Sequence, residues 1–173
     1  MHTRVASRRI ARIAASGALV LLMAADRAGL LLAPRQNDMV SHHGGTFRIS
    51  RCITPLLIEL DAPDALAGSE TTQIMLWGIA MSEGEGETEA LAFIRAYEGQ
   101  AVTLALEAQR TRDPFGRILA HIHLPEGGTL NESLLEAGLA SVEERWPHAM
   151  LTRYAQAQNN ARRHRRGMWR DRP

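Results

Sequence analysis

The densest run of chemistry-bearing side chains is Arg162-Arg163-His164-Arg165-Arg166, with Arg170 and Arg172 close behind. A guanidinium presents a planar fork of N–H donors that meets two phosphate oxygens at once. Arg162, Arg163, Arg165 and Arg166 are therefore candidate contacts for a nucleic acid backbone or an anionic lipid surface. A solvated helix end, where cations suit the dipole, is the alternative that the same residues allow. The chain has no Lys: all 20 of its basic residues are Arg, so any phosphate contact it makes is a guanidinium contact. His121 and His123 lie on one face of an apolar run and could share a metal, but two ligands without a third fall short of a site. Half-buried histidines on the outside of a sheet are the alternative. Adjacent His42 and His43 fall in a breaker-rich segment and read as solvated. Asp61 and Asp64 flank Pro63 and suit turn chemistry better than metal ligation. Cys52 is the one cysteine, which excludes an internal disulfide, and its strand-like surroundings predict a small buried residue.

The elements that must position these groups can be read from period and punctuation. Thr46–Ile53 alternates and predicts a strand, and Leu56–Leu60 predicts a second beyond Thr54-Pro55. Thr71–Ile79, Ala101–Leu106 and Ile118–Leu124 predict three more. Glu85–Tyr97 predicts a helix, because Ala90, Phe93, Ile94 and Tyr97 recur at three and four. Thr129–Glu136 and Ala149–Arg166 predict two further helices. A hydrophobic fraction of 45% and a formal net charge of +1 fit a globular domain.

Residues 1–33 read as a separate object. Arg4, Arg8, Arg9 and Arg12 precede an apolar stretch from Ile13 to Ala25, the layout of a signal sequence. Met23 stands two residues before Ala25 and makes a poor cleavage site, so an uncleaved membrane anchor is preferred slightly over a removed signal peptide. Asp26 and Arg27 interrupt the run, where a full span wants about 20 apolar residues. A cytoplasmic amphipathic helix is the third reading. Arginines ahead of the apolar core put the domain on the extracytoplasmic side, exported or membrane-anchored. Residues 34–45 read as a linker and 46–173 as the folded domain.

Three motifs then follow one another in order. Arg112-Asp113-Pro114-Phe115-Gly116-Arg117-Ile118-Leu119-Ala120 comes first. Asn131-Glu132-x-Leu134-Leu135-x-x-Gly138-Leu139-Ala140 follows, and Ala161-Arg162 with Gly167-Met168-Trp169 closes the series. This resembles the second half of a staphylococcal nuclease-like (thermonuclease) domain, whose pattern runs Asp-x-Tyr-Gly-Arg-x-Leu-Ala, Asn-x-x-Leu-x-x-x-Gly-Leu-Ala, Ala-Arg and Gly-x-Trp. The resemblance covers roughly Phe47 to Trp169. It implies an α+β, mainly β fold: a five-stranded OB-fold barrel with about three helices.

The resemblance also implies where the family's chemistry would sit. Its Asp-Gly-Asp-Thr turn falls on Thr54-Pro55-Leu56-Leu57, so Leu56 replaces a calcium-binding Asp. Its Arg-Leu-x-Gly-Ile-Asp-x-Pro-Glu motif falls on Met75 to Glu83. Met75 there replaces a phosphate-clamping Arg, and Ala80 replaces the other calcium-binding Asp. Glu83, at the position that orients the attacking water, and the phosphate-clamping Arg117 are retained. Phe115 stands where Tyr is usual. Calcium takes six to eight oxygen ligands, and Leu56 and Ala80 supply no side-chain oxygen. Loss of a phosphate-stabilising Arg alone costs on the order of 10³-fold in phosphoryl chemistry. The expectation is a pseudo-nuclease with no calcium site and no other cofactor, serving as a binding module for nucleic acid or protein. One alternative is an active metal-dependent phosphodiesterase using Glu83 and Arg117. Another is a protein-interaction module with an apolar groove around Leu56, Met75, Ala80 and Met81.

Overall fold

Strand β1 (Thr46–Thr54) runs to nine residues because it serves two neighbours. In the computed structural model, described over residues 37–81 and 86–170, its first three residues pair antiparallel with β5 (Ala101–Ala105). The remainder pairs antiparallel with β2 (Leu57–Leu60). Register shifts between Ile49 and Arg51 and between Cys52 and Thr54 bend it from one neighbour to the other, as bulges do. β2 continues antiparallel to β3 (Thr72–Leu76), β3 lies parallel to β6 (Ile118–His123), and β6 returns antiparallel to β5. The order β1-β2-β3-β6-β5 closes into a barrel, so none of these strands keeps an open edge. Ile49, Ile58, Leu60, Ile74, Leu104, Ile118 and Ile122 are wholly buried, one alternating set from each strand.

The three expected helices are present: α2 (Glu87–Arg95) between the third and fourth barrel strands, α3 (Leu130–Glu136) and α4 (Leu151–Arg163). Thr129 caps α3 by accepting the Glu132 N–H. The five-stranded OB-type barrel with helices is thus the observed architecture.

Two features differ from the sequence expectation. The strand predicted over Thr71–Ile79 breaks at Trp77-Gly78, and the chain resumes as β4 (Ile79–Ala80), paired with β7 (Ser141–Val142) in a separate ribbon. Gly78 makes that break possible: its φ is +80°, and a Cβ there would lie 2.5 Å from His148 Nε2. Secondly, residues 37–45 are not bare connecting chain. Asn37 caps a one-turn helix α1 (Asp38–Ser41), Gly44 N donates to Leu104 O, and Leu106 N donates to His43 Nδ1 at 3.0 Å. His42 is buried beside Phe47. Of the two histidines expected in solvent, His42 is a packing group, while His43 is exposed as expected and accepts one backbone N–H.

A single arginine fastens α1 to the barrel. Arg112 Nε and Nη2 donate to both oxygens of Asp38 at 2.9 and 2.7 Å. Its Nη1 and Nη2 donate to both oxygens of Asp64 at 2.7 and 2.9 Å, and Nη1 also reaches Gly116 O at 2.6 Å. All five guanidinium N–H groups are thereby used. Burial opposes ionisation of both aspartates, yet the Arg112 hydrogen bonds outweigh it and hold both carboxyls below their ordinary range. Asp64 also accepts the Leu66 and Ala67 N–H groups, the turn role expected of it.

Candidate functional site

The turn joining β1 to β2 carries Leu56, the first position at which the resemblance implies a change. Thr54 Oγ1 accepts the N–H groups of Leu56 and Leu57 at 3.3 and 3.1 Å, which sets a tight ST-type turn. Leu76 N donates to Leu56 O at 2.8 Å, so this turn lies against the end of β3. Met75 sits between Leu57 on one side and Leu119 on the other. The register thus brings the Leu56 turn, Met75 and the start of β6, just after Arg117, into adjoining positions. Leu56 and Met81 are half-buried and packed against the core, and Ala80 lies in β4 opposite Ser141. None of Leu56, Met75 and Met81 is an exposed large hydrophobic. Glu83, the other retained family position, lies outside the described residues, as do residues 1–33 and Arg172.

Arg117 is already partnered. The turn Asp113–Arg117 is closed by Asp113 Oδ1, which accepts the Phe115 and Arg117 N–H groups at 2.9 and 3.0 Å. Asp113 Oδ2 takes Arg117 Nε and Nη2, each at 2.6 Å, in a side-on pair. Phe115 is 81% exposed and lies over the same guanidinium at 4.9 Å from its ring centre. A phosphate approaching Arg117 therefore competes with a carboxylate held four residues away.

The four C-terminal arginines divide by role. Arg162 stacks on the Trp169 ring at 4.2 Å, and Arg166 Nη1 donates to Glu136 O at 3.1 Å. Both tie the end of α4 to its surroundings. Arg163 and Arg165 are exposed and make no side-chain hydrogen bond or ion pair among the described residues.

His121 is 2% exposed, beneath α4. Its Nδ1 lies 2.8 Å from Tyr154 Oη, and Thr129 Oγ1 is 3.1 Å from the same oxygen. The His148 ring packs on His121 and Tyr154 with centroids 5.1 and 5.4 Å apart. Burial above all, then the neighbouring His148, pushes the His121 pKa down to about 4, with Glu107 opposing. Burial likewise lowers that of His148. Both rings are neutral at pH 7. Sequence reading missed this group, though the spacing of Tyr154, Ala157, Gln158 and Ala161 on α4 carries the signal of a buried face. Cys52 is the buried, inert thiol expected: its Sγ donates to Ile94 O, and burial pushes its pKa up to about 12.

Calcium, which the fold family implies, does not fit the residues that occupy its positions. Leu56 and Ala80 offer no side-chain oxygen. Among the described residues, no group of three or more His, Cys, Asp or Glu side chains could hold a metal. No curated protein matches the chain. Residues 57–171 do match the family described as staphylococcal nuclease homologue. That match begins one residue past Leu56, leaves out β1, and takes in the other four barrel strands and the Gly-x-Trp motif. The chain belongs to the staphylococcal nuclease homologues.

Proposed function

We propose that this domain is a non-catalytic member of its family, a binding module whose partner is a nucleic acid backbone. The observation that carries the reading is the chemistry of the inherited site. The resemblance puts Leu56, Met75 and Ala80 at the family's metal and phosphate positions, and Arg117 is paired with Asp113. Without carboxylates to hold a metal, a phosphodiester gains neither charge neutralisation nor an activated water there. Exposed Arg163, Arg165 and Arg170 provide a sequence-independent electrostatic edge. The same reading has residues 1–33 carry the domain to the extracytoplasmic side. Recovery of the full-length protein wholly from the cytoplasmic fraction would overturn that part.

The test uses the full-length protein with single- and double-stranded DNA and with RNA, in calcium and in EDTA. No cleavage is expected in either. Binding, followed by fluorescence anisotropy, should weaken steeply with salt. Arg163→Ala with Arg165→Ala should make the log–log salt slope shallower by about two, since each lost phosphate contact removes close to one unit. Calcium-dependent cleavage would return the domain to the enzymes. An unchanged slope would mean that the C-terminal arginines are solvated surface only.

A further inference from the structure

A cavity of about 640 Å³ lies where the Trp77-Gly78 turn, the segment 107–110 and the segment 146–149 meet. That volume is in the range of small-molecule sites. None of the family positions discussed above lines it. Its walls include Trp77, Trp146, His148, Glu107, Gln109 and Arg110.

Arg110 is the unusual member. Its guanidinium carbon lies 4.2 Å from the Trp146 ring centre and 5.5 Å from that of Trp77. Yet its side chain makes no hydrogen bond or ion pair among the described residues. Arg112, two residues on, has every donor matched. Stacking on indole faces holds the Arg110 plane in place, while its N–H groups point along the plane and stay available. An ordered guanidinium with free donors is half of a fork-to-fork contact whose other half is an oxyanion.

The wall behind it independently lacks partners. Trp77 is only 8% exposed, and its indole Nε1 has no hydrogen-bond acceptor among the described residues. Buried polar groups of this kind are ordinarily satisfied. Trp146, by contrast, is 45% exposed and offers ring surface beside Arg110. Glu107 has one carboxylate oxygen occupied by the Ala149 N–H at 2.8 Å, which fixes the wall bearing His148. The wall thus offers the free Arg110 donors, the second Glu107 oxygen and the unpartnered His148 nitrogens, set among aromatic faces.

We propose that this cavity is a binding site for a small organic anion, a carboxylate or phosphate carried on a flat apolar body. Arg110 takes the oxyanion through its paired N–H groups. Trp146 and Trp77 take the flat body. The site is separate from the nucleic-acid edge and does not rest on that reading.

Isothermal titration of the full-length protein tests the proposal with phenylacetate and adenosine 5′-monophosphate. Their neutral counterparts, phenylacetamide and adenosine, are the controls. At least one anion should bind saturably with a dissociation constant at or below about 1 mM, and which one binds tells carboxylate from phosphate. The neutral counterpart of that anion should bind about tenfold more weakly or worse. Arg110→Gln should bring the anion down to the neutral counterpart's affinity. Trp146→Ala should weaken anion and neutral counterpart alike. Absence of saturable binding by both anions up to about 10 mM would overturn the site. So would equal affinity of an anion and its neutral counterpart on the unaltered protein, a comparison that needs no variant to fold.

Discussion

Arg112 and Arg117 stand five positions apart in one motif, and the structure gives them opposite environments. Arg112 is sunk between Asp38 and Asp64, whereas Arg117 lies at the surface turn beside an exposed Phe115. Removing one partner of a buried ion group leaves uncompensated charge and costs about 3–5 kcal/mol. Arg112→Ala leaves two such carboxylates, so its unfolding free energy should fall by at least that amount, read from urea denaturation. Arg112→Lys should recover less than half, because a point-like ammonium cannot bridge four oxygens in two planes. A loss under about 1 kcal/mol would mean that Asp38 and Asp64 find water instead. The sequence showed that this motif was special, and its resemblance to the family implied that Leu56, Met75 and Ala80 stand where polar side chains are usual. It could not show which of two nearby arginines is buried, because one partner, Asp38, is 74 residues away.

At the scale of elements, period carried most of the information. β1 and β5 alternate, β2 and β6 are largely apolar, and α2 and α4 repeat at three and four, so most strands and helices emerged at nearly their observed bounds. The β4–β7 ribbon did not, because two residues on each side show no period. Helix α1 did not either, since four residues rich in turn-formers look like any linker. The junction that holds the elements together is Asn131. Its Oδ1 accepts the Ile122 N–H at 3.1 Å, and its Nδ2 donates to Trp77 O at 3.0 Å and Ala120 O at 3.4 Å. One wholly buried amide thereby joins α3, β6 and the turn that ends β3. Asn131→Ala orphans the Ile122 N–H and the Trp77 carbonyl, while Ala120 O keeps the Trp77 N–H, and should cost about 1–3 kcal/mol. Asn131→Asp should do no better, because a carboxylate would face two carbonyl oxygens. Thermal unfolding of the two variants side by side would check the ordering, and a more stable Asp variant would contradict the assigned amide orientation.

Across the whole molecule, acid should act in two stages set by different groups. His121 has a pKa near 4 in the folded protein against 6.5 unperturbed, so the unfolded chain binds more protons between those values. The stability of the neutral ring is fully present above pH 6.5 and is lost as pH falls from 6.5 towards 4, by on the order of 3 kcal/mol. His148, whose pKa burial also lowers, acts in the same direction. Glu107 opposes both, and His123 reinforces the effect on His121. Asp38 and Asp64 follow with the same sign from the opposite charge type. Their folded pKa values lie below 3.8, so the stability that their ionisation contributes is present above 3.8 and is lost as pH falls further. The urea midpoint should therefore be flat near neutrality, decline from about pH 6.5, and decline again below about pH 4. His121→Gln keeps a side-chain amide within reach of Tyr154 but does not titrate. It should flatten the first decline in part, leaving the share owed to His148, and spare the second. Arg112→Ala should do the reverse, shrinking the second decline while leaving the first. A His121→Gln protein with the slope of the unaltered chain between pH 6.5 and 4 would show that the histidine beneath α4 is not the group that acid reaches first.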